Sequence, residues 1–250
     1  MWNLKKLLLC HLIIILLIGS WYLPQTRYVW DAIDVFIFRA FNNTLPGNPN
    51  WQCFWAVANH RTADWFEDLV ILIFFIFSVK QVAPAMRRRQ IASFVFCILF
   101  SVAVIYLFNR VLLRDFVVIF RASPAKFLEG AFRLSKAFPW LAHLKDAAPR
   151  CFPGDHGTTA FFFAFLYSFF SSKRLSIFAG IYTVFLLLPR LVAGAHWFSD
   201  IVMGSGCIVL FFAGWALFTP FHKKIIDLIA FNKKPGTLCK NELPKTTRDL

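Results

Sequence analysis

The sequence predicts an all-α polytopic membrane protein, a bundle of six transmembrane helices with an amphipathic helix lying at the interface. Three observations predict it. Of the 250 residues 58% are hydrophobic and 18% aromatic, with 32 Phe and a mean hydropathy of +0.60, more apolar surface than a soluble domain can hide from water. Six strongly apolar stretches recur along the chain, close to the roughly 20 residues that a span requires. The residues best suited to phosphate chemistry, Arg114, Arg121, His156, Arg190, His196 and Asp200, all fall at the ends of those stretches on one side of the bilayer.

The first stretch, 4–23, follows Lys5 and Lys6 and begins like a signal peptide over Leu7 to Ile18. No A-x-A-like cleavage site follows, and Trp21 and Tyr22 are suited to anchor at the interface, so a retained helix is expected. From Tyr28 to Phe41, Asp31, Asp34 and Arg39 alternate with Trp30, Ile33, Phe36, Ile37, Phe38 and Phe41. Three charges are too many for so short a segment in hydrocarbon, so this is the amphipathic helix on the outer leaflet.

The next stretches are 65–80 and 90–113, separated by Arg87, Arg88 and Arg89. Then come 157–172 and 175–193, separated by Lys173 and Arg174, and finally 199–220, followed by Lys223 and Lys224. The second and fourth are short, and their polar flanks are expected to begin as interfacial helix. Every basic cluster lies inside if the N-terminus is inside, which places both termini in the cytoplasm. The chain thus divides into a membrane domain, 1–220, and a basic, partly disordered cytoplasmic tail, 221–250, that gains Lys, Pro and Thr.

The formal net charge is +14, and with so many spans it points to an anionic lipid surface rather than to nucleic acid. Cys10, Cys97 and Cys207 sit in spans as small buried apolar groups, whereas Cys53 and Cys151 fall in outer loops where an oxidising face would let them pair. Asn42-Asn43-Thr44 fits the N-glycosylation pattern, which recurs by chance. The long outer loop from Arg114 to Gly157 is rich in Arg and Lys and suggests an anionic ligand, although Lys126, Arg133, Lys136 and Lys145 taken singly suit a solvated surface.

Three clusters carry chemistry. Arg114 and Arg121 present rigid forks of donors that match phosphate oxygens. Phe152-Pro153-Gly154-Asp155-His156-Gly157 precedes an apolar helix, whose free N–H groups form an anion site and whose His156 is placed to act as a general acid; the same segment would serve as a turn capped by Asp155. In the third, Arg190 precedes His196 and Asp200, and a helical backbone would let Asp200 take the Nδ1 proton of His196 and leave Nε2 as nucleophile.

The pattern Arg114-x6-Arg121, Pro153-Gly154-Asp155-His156 and Arg190-x5-His196-x3-Asp200 resembles the three-part signature of the type 2 phosphatidic acid phosphatase superfamily. The surrounding segments, among them Gly194-Ala195-His196-Trp197-Phe198-Ser199-Asp200-Ile201, resemble its lipid A 1-diphosphate synthase branch. That resemblance implies a bacterial inner-membrane enzyme with a periplasmic site that moves phosphate from undecaprenyl diphosphate to the 1-phosphate of lipid A. It also implies His196 as the nucleophile forming a phosphohistidine, Asp200 as its orienting group and His156 as the acid. Arg114, Arg121, Arg190, Gly154 and Asp155 would bind the phosphate, with no metal or other cofactor.

A lipid phosphate phosphatase acting on undecaprenyl diphosphate or on lipid A phosphate would use the same residues. A lipid transporter is disfavoured, because the span interiors carry few polar groups beyond His11 and Asn109. A metal hydrolase built on His156, His196 and Asp200 is disfavoured by the neighbouring arginines.

Overall fold

A computed structural model gives the fold, described for residues 2–230. Helix α1 (Leu4–Tyr22) starts where the Asn3 side chain accepts the Lys6 N–H. Proline opens α2 (Pro24–Asn42), α3 (Pro49–Ala58) and α5 (Pro84–Val117), in a first turn where its missing N–H costs nothing. The His60 ring caps α4 (Arg61–Gln81), and the outer part of α5, Ile105–Val117, is wound as a wider π-helix. Two single turns, α6 (Pro124–Phe127) and α7 (Leu134–Ala137), lie in the outer loop. Helices α8 (Asp155–Phe170), α9 (Lys173–Val192), α10 (Asp200–Phe218) and α11 (Phe221–Ile229) complete the chain. All regular elements among the described residues are helical.

By length and composition α1, α5, α9 and α10 can cross a membrane. α4 carries Asp64, Glu67 and Asp68 near its start, and α8 has only 16 residues, but both belong to the same bundle. α8 runs through the centre, touching α5, α9 and α10, with Phe162, Leu166 and Tyr167 at 1% exposure or less. Rings of Phe75, Phe94, Phe163 and Tyr167 stack between α4, α5 and α8.

The helix ends are tied together at one end of this bundle. Asn3 N–H donates to Phe218 O, Gln90 to Phe170 O, and Ser172 to Gln81, while Arg89 pairs with Asp227 at 2.7 Å. The alternate ends meet at the other, where α8 starts and α9 stops. Successive long helices therefore run up and down, and all three chemistry-bearing clusters gather at one end.

Several expectations are corrected. Asp34 does not face the interface: it is 1% exposed and accepts from Ser199 N at 2.7 Å, Ser199 Oγ at 2.5 Å and Arg121 Nη2 at 2.6 Å. A carboxylate taken out of water needs such partners, and these draw α2 onto the turn before α10. Of the tail expected from Phe221, the first part is helix α11, which packs on α5 with Ile226 2% exposed; residues 231–250 lie outside the described part. Cys53 and Cys151 are free thiols, Cys53 exposed and Cys151 buried with its S–H donating to Arg121 O. Asn42 is 1% exposed and bonded to Phe132 and Val192, so its side chain is committed inside rather than offered as a glycan acceptor.

Two outcomes follow from these contacts. In intact protein a maleimide modifies Cys53 and spares Cys151 until denaturation, as mass spectrometry will show. Asp34→Ala leaves a buried guanidinium short of one partner and lowers unfolding stability in detergent by about 3 kcal/mol, with Asp34→Asn losing less because it keeps an acceptor for Ser199.

Candidate active site

Gly154 is the pivot of the site. Its carbonyl accepts from Thr158 N at 2.9 Å, Thr158 Oγ1 at 3.0 Å and Ser205 Oγ at 2.9 Å, which fixes the start of α8 against α10. A Cβ on Gly154 would meet three ring atoms of His196 at 3.2 to 3.4 Å, so the backbone here lies against the imidazole. His196 is delivered by the reversal that ends α9, where Gly194 has φ +70 and Arg190 O accepts the Ala195 N–H at 2.9 Å. Gly194 also has no room for a side chain beside Phe38 and Ala125.

His196 and Asp200 are close but not bonded. Nδ1 of His196 lies 3.7 Å from Asp200 Oδ2, is buried and has no hydrogen-bond partner. His196 lies in a bend rather than a helical turn, which is why the expected i,i+4 bond is not formed. Asp200 is fully buried and accepts instead from Trp197 N at 2.9 Å and from Arg121 Nη1.

Arg121 is thereby gripped by two carboxylates, Asp200 and Asp34, and does not line the cavity. Burial opposes its charge, but the charges of Asp200 and Asp34 win and raise its pKa above the ordinary arginine value. Burial pushes Asp34 upward, and bonds from Ser199 and Arg121 hold that rise in check. Burial and the nearby Asp200 charge hold the Cys151 thiol protonated.

A second network surrounds His156. Its Nε2 lies 2.8 Å from Arg190 Nη2 and 3.2 Å from Lys145 Nζ, two donor-only cations, so Nε2 is an acceptor and bears no proton. Arg190 is 2% exposed, and its other contacts are Asp64 Oδ1 at 2.8 Å, Asn59 O at 3.0 Å and Asn59 Oδ1. Asn59 also donates to Lys145 O at 2.9 Å, and Asp64 accepts from Lys145 Nζ at 2.9 Å. The segment Asn59 to Asp64 thus joins both cations. The bonds from Lys145 and Arg190 compensate the Asp64 carboxylate for its partial removal from water.

Both imidazoles open onto one cavity of about 870 Å³, also lined by Arg61, Arg110, Arg114, Lys145, Arg150 and Asp155. Of the residues expected at the site, His156, His196, Arg114 and Asp155 line it, Gly154 supports His196, and Arg190 reaches it through His156. Arg121 and Asp200 stand behind His196. Asp155 does not face an anion freely, since Arg110 Nε bonds it at 3.0 Å and Asn109 at 3.3 Å.

Sequence reasoning missed Lys145, Asp64, Asn59 and Asp34. The hydrophobic pattern carries no sign of the first three, but an acidic residue on the inward side of α2, beside Phe38, was a usable signal. Cys151, His196 and Asp200, and likewise Asp64, Glu67 and His156, offer ligand atoms close enough for a metal ion. In each group a carboxylate already pairs with Arg121, Arg190 or Lys145, so the donor set suits an anion better than a cation.

A curated relative, lipid A 1-diphosphate synthase of Escherichia coli (strain K12), is 32% identical over 237 residues, which span 94% of this chain and 95% of its own. No family model and no solved structure matches the chain. With identity at that level across nearly the whole of both sequences, the chain belongs to the lipid A 1-diphosphate synthase family.

Proposed function

We propose that this protein transfers a phosphate group from undecaprenyl diphosphate to the 1-phosphate of lipid A, giving lipid A 1-diphosphate and undecaprenyl phosphate. The observation that carries the chemistry is the meeting of His156 and His196 at one cavity rimmed by Arg61, Arg110, Arg114 and Arg150. The near full-length relationship to a lipid A 1-diphosphate synthase supports the choice of acceptor.

The terminal phosphate of the donor sits among Arg114, Arg190 and the N–H groups that open α8, where the positive end of that helix favours an anion. His196 attacks in line and becomes a phosphohistidine. As the ring gains charge, Asp200 Oδ2 closes on the Nδ1 proton from its present 3.7 Å and stabilises the imidazolium. Arg121 acts on Asp200 and Ser199 rather than on the phosphate in this resting arrangement.

His156 meets the leaving group. A departing phosphate is a weak base, so the two cations at Nε2 suffice to stabilise it where an alkoxide would require a proton. The lipid A 1-phosphate then attacks the phosphohistidine, and exclusion of water at that moment separates a transferase from a phosphatase. No metal takes part in this scheme.

Six spans cross the inner membrane in this proposal, α4 and α8 joining the four apolar helices. The ends tied by Gln90, Phe170, Asn3 and Phe218 carry the basic clusters and face the cytoplasm, which turns the cavity towards the periplasm.

Donor labelled in its terminal phosphate will give labelled lipid A 1-diphosphate, with free phosphate released far more slowly when lipid A is omitted. Release at full rate without acceptor would refute the transferase and favour the phosphatase. His196→Ala is expected to lower turnover by roughly 10⁴-fold or more and to abolish acid-labile label on the protein in a quenched reaction; label that persists would remove His196 as nucleophile.

A further inference from the structure

The geometry assigns a catalytic role to Lys145, a residue of the outer loop that stands outside all three chemistry-bearing clusters: its ammonium group binds the oxygen that bridges the two phosphates of the donor and stabilises the leaving group. This assignment rests on the phosphotransfer proposed above. Lys145 lines the cavity together with both imidazoles. Its Nζ is 3.2 Å from His156 Nε2 and 2.9 Å from Asp64 Oδ2. These contacts are not those of a lysine waving in solvent.

The placement is built from inside the protein. Asn59, fully buried, holds the Lys145 backbone through Nδ2 and the Arg190 guanidinium through two oxygens. One side chain thereby sets the spacing between the two cations, and Asp64 bonds both from the other side. Arg190 is 2% exposed and is held by Asn59, Asp64 and His156, whereas the Lys145 side chain is 41% exposed and has slack to follow an oxygen that moves. A rigid fork beside a mobile point charge suits a reaction in which one phosphate is held while the other departs.

The step balances without a proton. The Nε2 lone pair of His196 forms the N–P bond, the P–O bond to the bridging oxygen breaks, and its electron pair leaves with undecaprenyl phosphate. Lys145 and Arg190 compensate the charge that grows on that oxygen. In the second half, a lipid A phosphate oxygen forms the new P–O bond, and the N–P pair returns to His196.

The test compares wild type, Lys145→Ala and Lys145→Arg in detergent micelles, using undecaprenyl diphosphate labelled in its terminal phosphate with lipid A as acceptor. Thermal unfolding is measured on the same samples. Lys145→Ala is expected to lower kcat by about 100-fold with a KM change under threefold, and Lys145→Arg to recover at least tenfold over Ala. A Lys145→Ala kcat within threefold of wild type overturns the assignment. So does a loss that Arg fails to restore while unfolding remains unchanged, or a loss confined to KM. Should wild type release phosphate to water instead of passing it to lipid A, the transferase falls, but the same bond is broken and the same comparison still decides the role of Lys145.

Discussion

The cost of holding charge away from water governs the outer end of this bundle. Arg121 and Arg190 are both largely buried, and neither could stay there without carboxylates and carbonyls brought from distant parts of the chain. For Arg121 those partners come from α2 and from the turn before α10; for Arg190 they come from the α3–α4 connection and the start of α4. Satisfying two guanidinium groups thus positions four segments, and these in turn place the imidazoles. Apolar packing below assembles the helices, with α8 at the centre, but it does not specify where the polar ends meet.

The two networks divide the work. One runs Asp34, Arg121, Asp200 and stops 3.7 Å short of His196, whose Nδ1 has no partner. The other surrounds His156 with cations tied to Asn59 and Asp64. In the proposed transfer the first network stands beside the ring that would gain positive charge and the second beside the oxygen that would leave. Charge separation in transfer from a phosphoric anhydride requires both.

Much of this architecture was legible in the sequence. Runs of Phe, Leu and Ile announced the long helices, whereas the short α3 (Pro49–Ala58) was not anticipated. Arg114, His156 and His196 reached one cavity as expected, because helix ends on one side of a bundle are close whatever the packing detail. What was illegible depends on long-range pairing. Asp34 reads as one polar residue on an amphipathic helix until Ser199 and Arg121, far along the chain, supply its partners. Lys145 reads as a surface lysine because nothing local shows that Asn59 holds its carbonyl. The bond between His196 and Asp200 was expected from helical spacing, and the bend at His196 removes the premise.

Helix α1 looks dispensable by composition, yet its last turn reaches the chemistry. Trp21 is 7% exposed and stacks on Phe152 with ring centres 5.8 Å apart, and Phe152 in turn closes on Gly204 just ahead of the Gly154 pivot. Most of the remaining surface of α1 faces outward, with Leu8, Leu9, Leu12, Ile15 and Leu16 all exposed. The stacked rings brace the loop that carries Gly154 from the side of α1, so the wall behind His196 is completed by the first helix of the chain as well as by the last long ones.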